Sequence, residues 1–121
     1  MTSIPINLDY QSRTPIYEQI VNSIERYVVL GILKEKQQIP SIREMASSIG
    51  VNPNTVKKSY DILESKGIIN TISTKGTFIS ENISRATKDK IDREINHIRE
   101  EINELTKLGI SFDEVIERIK K

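Results

Sequence analysis

The chain has 121 residues, 36% of them apolar, no cysteine, and a formal net charge of +1. That is enough apolar material for one compact core with an appendage but not for two large cores, and the lack of cysteine excludes disulfides, thiolate zinc sites and cysteine nucleophiles. No apolar run approaches the ~18 residues of a membrane span, and the N-terminus lacks the basic and apolar segments of a secretory signal, so a cytoplasmic protein without a membrane partner is expected.

Charge divides evenly along the chain, with 9 basic and 8 acidic residues in 1–83 and 9 of each in 84–121. Binding to any polyanion must therefore rest on a few placed cations, not on a global field.

Residues 1–13 are polar with scattered apolar side chains and read as an arm. Thr14-Pro15 then has the form of an N-cap with proline at the first helical position. Ile16, Ile20, Ile24, Tyr27 and Val28 follow at helical spacing, and Gly31 should end this helix. Residues 32–40 read as a charged connection. Ser41-Ile42-Arg43-Glu44 is a capping box that opens a short helix, and Gly50 supplies the turn after it. Asn52-Pro53 restarts a helix that turns Val56, Tyr60 and Leu63 inward and should stop at Gly67.

The texture then changes. Ile68, Ile69, Ile72, Thr77, Phe78 and Ile79 are β-branched or aromatic, and Thr74-Lys75-Gly76 separates the two pieces, which predicts a β-hairpin. Beyond Asn82 the spacing of Ile91, Ile95, Ile98, Ile102 and Leu105 is a heptad seam on a helix over 84–108. Such a helix would be roughly 37 Å long at 1.5 Å per residue. Gly109 ends it, and Ser111-Phe112-Asp113-Glu114 has the form of a second capping box, with Val115, Ile116 and Ile119 on one face of a last helix.

The order predicts a mainly α protein with a small β-hairpin. Residues 1–82 would be a winged helix-turn-helix domain with its N-terminal arm, and 83–121 a two-helix dimerisation tail. Ala46, Gly50 and Val56 are placed to let two helices cross closely about a short turn, with Met45, Ile49 and Val51 filling between them. The outward residues of the second of these helices, Asn52, Asn54, Thr55, Lys57 and Lys58, are polar and free of acid. Asn reads base edges, Thr bonds phosphate or base, and Lys neutralises phosphate or reaches guanine. Double-stranded DNA is therefore the expected partner. The isoleucine seam has nothing evident to cover within a winged-helix core, so a second copy of the chain is expected on it, with Val115, Ile116 and Ile119 joining the interface.

Together, Pro15-Ile16-Tyr17-Glu18-Gln19-Ile20, Pro40-Ser41-Ile42-Arg43-Glu44-Met45-Ala46, Gly50-Val51-Asn52-Pro53-Asn54-Thr55-Val56, Leu63-Glu64-Ser65-Lys66-Gly67 and Gly76-Thr77-Phe78-Ile79 resemble the DNA-binding domain of the GntR family of bacterial regulators. The resemblance covers about residues 10–80, and the short tail is similar to that of the YtrA-like subfamily. It implies a transcriptional repressor in which Ser41 and Arg43 contact backbone and base edges, Asn52, Asn54, Thr55 and Lys57 work from the recognition helix, and Lys75 and Gly76 lie in a wing that reaches the minor groove. Two positions depart from the family pattern: Lys36 and Thr74 stand where glycine is usual. The first adds a cation near the DNA-facing loop, and the second stiffens or redirects the wing.

Other readings fit less well. A winged-helix module for protein–protein interaction without DNA specificity would carry apolar residues at positions such as 54, 57 and 58. An architectural DNA binder would carry more net positive charge. For an enzyme, no paired carboxylates, nucleophile elbow or Gly-rich phosphate loop is present, and His97 stands between Asn96 and Arg99 on a coil-like helix as a surface residue. No cofactor or metal is expected. A small-molecule effector of unknown identity could bind between the domains.

Overall fold

A computed structural model describes residues 4–81 and 83–121; residues 1–3 of the expected arm, and Asn82, lie outside the described residues. The elements run α1 (Ile16–Val29), β1 (Gln38–Ile39), α2 (Ile42–Ile49), α3 (Pro53–Ser65), β2 (Ile69–Ile72), β3 (Gly76–Ile79), α4 (Ile83–Lys107) and α5 (Phe112–Ile119). The chain divides into two compact units, 1–87 and 88–121.

In the first unit, local sequence sets most boundaries. Ser41 caps α2 by accepting the Glu44 N–H at 3.1 Å, and the Glu44 carboxylate accepts the Ser41 N–H at 3.1 Å. Gly50 follows in the left-handed conformation at φ 68°, which a residue without Cβ adopts at little cost. Asn52 caps α3 ahead of Pro53. The expected cap on α1 is absent: Pro15 holds the cap position, with no side-chain bond to the first turn.

The expected hairpin is one part of a three-stranded antiparallel sheet of order β1-β3-β2. Gln38 faces Phe78 and Ile39 faces Thr77, while Ile69 faces Ile79 and Ile72 faces Gly76. The connection over 32–40 thus ends in a short strand. Ile20 and Ile24 of α1, Ile39 of β1, Met45 of α2, Val56 and Leu63 of α3, Ile69 of β2 and Ile79 of β3 meet in one fully buried core, each worth about 1.5–3 kcal/mol on burial.

Polar contacts link elements within this unit. Buried Glu25 of α1 accepts from Lys66 Nζ, just past α3, at 2.7 Å. The buried Ser59 hydroxyl is 2.8 Å from the Tyr17 carbonyl. The Tyr60 hydroxyl donates to the Pro40 carbonyl at 2.7 Å.

Packing sets both edges of this unit. The described part of the arm is not loose: Ile4 is buried, Ile6 and Leu8 pack on the core, and the Tyr27 hydroxyl donates to the Pro5 carbonyl. The unit also runs past residue 82, because Ile83 is buried in the core, Ala86 packs on it, and the Ser84 hydroxyl donates to Glu35 at 3.1 Å.

In the second unit, α4 ends before Gly109, which takes φ 96°. Ser111 caps α5 by accepting the Glu114 N–H at 3.2 Å. The reciprocal half of the expected capping box is not formed, since the Glu114 carboxylate lies 3.3 Å from Arg118. Among the described residues, no helix is long and apolar enough to cross a membrane.

Candidate nucleic-acid interface

The N-terminal halves of α2 and α3 with their caps, the β2–β3 turn and the first residue of β3 carry every residue expected to meet DNA. Ala46 is buried and Val56 fully so, with Ile49 and Val51 packed beside them. The crossing of α2 and α3 is therefore fixed by the small and branched residues that suggested it.

The expected contact residues fall into three groups. Ser41 and Asn52 are helix caps: the Asn52 Oδ1 accepts the Asn54 N–H at 2.8 Å. Their acceptor atoms are committed to the fold, which leaves a hydroxyl proton and an amide NH2 for a ligand. Arg43, Asn54 and Lys75 are exposed, and their side chains make no hydrogen bond or ion pair with another described residue. Thr55 is half-buried beside them.

Lys57 and Lys58 are exposed but engaged by neighbours. Lys57 pairs with Asp61 at 2.8 Å, one turn on. That hydrogen bond, and then the carboxylate's charge, raise the Lys57 ammonium above its ordinary pKa. Both partners are well exposed, so the pair is weak and a phosphate can compete for the lysine. Lys58 Nζ lies 3.9 Å above the centre of the Tyr17 ring of α1, a cation–π contact.

The wing turn spans 72–75 and is closed by the Lys75 N–H on the Ile72 carbonyl at 3.0 Å. Its third residue, Thr74, has φ 67°. Lys36 occupies the same place in the turn 34–37, where Gln37 N–H bonds the Lys34 carbonyl at 3.1 Å and φ is 65°. These are the described non-glycine residues with positive φ, and they are the two positions where the pattern that the sequence resembles usually has glycine. A positive φ at the third position of a tight turn is the standard demand for glycine.

Gln38 carries no signal in the sequence. It is exposed on β1, and its side-chain amide donates to the Lys75 carbonyl at 3.2 Å. Only the fold brings residues 37 positions apart into contact.

The sequence pattern that defines the GntR family, bacterial regulatory proteins, matches residues 16–79. The chain belongs to the GntR family. Over 120 residues it is 38% identical to the HTH-type transcriptional repressor YtrA of Bacillus subtilis strain 168, covering 96% of this chain and 90% of that one. A transcriptional regulator from Oenococcus oeni has the same fold at TM-score 0.75 and 33% identity, covering 93% of this chain and 94% of that one. The AraR DNA-binding domain in complex with an operator aligns at TM-score 0.54 and 26% identity, covering 63% of this chain and 93% of that domain. This GntR-family chain is thus a transcriptional regulator with a winged helix-turn-helix DNA-binding domain, mainly helical with a small antiparallel sheet.

Of this regulator's tail, Ile91, Ile95, Ile98 and Leu105 are 47, 47, 54 and 41% exposed, and Ile102 is half-buried. Ile119 is exposed and Ile116 half-buried. Val115 is buried. His97 is exposed on α4.

Proposed function

We propose that this protein is a cytoplasmic repressor that binds a pseudo-palindromic operator as a homodimer. The observation that carries the reading is the exposed face of Ile91, Ile95, Ile98 and Leu105 on one 25-residue helix. Large apolar side chains in a row on an otherwise charged helix call for a partner, and a heptad spacing suits a second copy of the same helix. Two recognition helices related by a two-fold axis read two half-sites about one helical turn apart. Repression is the sign borne by the Bacillus subtilis relative's name.

Arg43 and Asn54 are the base readers in this proposal, with Ser41, Asn52, Thr55, Lys57 and Lys58 holding backbone and flanking contacts and Lys75 with Gly76 serving the wing. Arg43 suits guanine and Asn54 adenine. The test is a gel-shift titration on an inverted-repeat duplex taken from the region upstream of the protein's own gene. Arg43→Ala or Asn54→Ala should weaken binding by about 1–3 kcal/mol each, with circular dichroism unchanged. Wild-type affinity in both variants would remove these residues from the interface.

A further inference from the structure

We propose that Gln38 is a positioning residue of the wing: its side-chain amide holds the backbone at Lys75 and so sets where the wing presents that lysine to DNA. The inference rests on the DNA-binding reading above.

Gln38 faces Phe78 across the β1–β3 ladder, and Gly76 lies two residues before Phe78, on the same face of the sheet. From there the Gln38 side chain runs along β3 to the wing, where Nε2 donates to the Lys75 carbonyl at 3.2 Å. The same amide fills the space beside Gly76. A Cβ built on Gly76 would stand 2.6 Å from Gln38 Nε2 and 4.0 Å from the Phe78 ring. Gly76 also has φ 122°, so its bare Cα serves the backbone and makes room for the amide together.

The turn needs such a brace. Its local closure is the 3.0 Å bond from Lys75 N–H to Ile72, and Thr74 holds a left-handed conformation that a β-branched residue resists. Gln38 supplies a bond from outside the hairpin, on the carbonyl of the one cation in the turn. Ile39, the next residue, is fully buried in the core. The brace is therefore rooted in the rigid part of the domain, and Pro40, Ser41 and α2 follow it directly in the chain.

The full-length chain tests this. Gln38→Met keeps the length of the side chain, adds no charge and removes the donor. It should bind the inverted-repeat duplex about two- to tenfold more weakly, the cost of ordering on DNA a turn that the lost bond no longer holds, with circular dichroism unchanged. Lys75→Ala should cost less in the Gln38→Met background than in the wild type, because a lysine already misplaced has less to lose. In the DNA-free protein, backbone amides of 74–76 should lose order by NMR relaxation in Gln38→Met and in Gln38→Ala alike. Wild-type affinity for Gln38→Met, or penalties that add fully with Lys75→Ala, would overturn the proposal; full additivity would mean that Gln38 meets DNA by itself. An Asn54→Ala control in the same titration separates the two levels. If Asn54→Ala binds weakly while Gln38→Met equals wild type, only the role of Gln38 falls; if the wild type binds no duplex, the DNA-binding reading falls and the role of Gln38 with it.

Discussion

Thr74 and Lys36 each sit third in a hydrogen-bonded turn with φ near 65°. For an L-residue that conformation costs roughly 1–2 kcal/mol, and a side chain branched at Cβ tolerates it poorly. Glycine removes the clash but gives back about 0.5–1 kcal/mol through its freer unfolded chain. Thr74→Gly should therefore raise stability by about 0.5–1 kcal/mol, read as a higher denaturant midpoint with unchanged slope; a lowered midpoint would mean that the turn is not strained. At this scale the exposure of the residues expected to meet DNA was legible in part. Arg43 and Asn54 are exposed because the amphipathic pattern around them fixes which side of the helix faces out. Asp61 is four residues from Lys57, so that pair could have been read from spacing alone. The stacking of Lys58 on Tyr17 could not, because it depends on how α1 and α3 pack.

The recognition helix is joined to the start of α2 by Tyr60, whose hydroxyl donates to the Pro40 carbonyl within the interior. Tyr60→Phe leaves that carbonyl unpaired and should cost about 1–3 kcal/mol. Burial first, and then the negative charge of Glu44, raise the Tyr60 phenol above its ordinary pKa. Above about pH 10 the unfolded chain releases this proton while the folded chain keeps it. The stabilisation is thus complete below that pH and is lost progressively as pH rises above it, toward the higher pKa of the folded chain. Denaturant midpoints between pH 8 and 11 should fall more steeply for the wild type than for Tyr60→Phe, so their difference should narrow; parallel curves would place the phenol in water. Capped elements were legible because Ser41, Gly50, Asn52 and Pro53 act on the backbone next to them. Strand β1 was not, since two residues make no alternating pattern and its pairing comes wholly from β3. The N-terminal segment misled for a related reason: Ile4, Ile6 and Leu8 look sparse among polar neighbours until the core gives them a surface to cover.

For the molecule as a whole, the proposed dimer is tested by Ile98→Asp. Two unpaired charges would then face each other across an apolar seam, at a cost of several kcal/mol. Light scattering should report a monomer. The winged-helix unit should stay folded, because its core is built within residues 4–87. Operator affinity should fall sharply as the linked second half-site is lost; a variant that stays dimeric with full affinity would free the seam of this role. The seam itself was legible, because five apolar residues at heptad spacing on a charged helix need no tertiary knowledge to find. The burial of Val115 was not, as it depends on tertiary packing. The pairing of Lys57 with Asp61 has a further effect at this scale. Adhesion to DNA of arbitrary sequence comes almost entirely from phosphates neutralised by uncommitted cations. With a net charge of +1 and one lysine of the recognition helix shared with an acid that a phosphate must displace, that adhesion is weakened. A phosphate that takes this lysine first displaces a carboxylate, so the contact returns less on every sequence, operator or not.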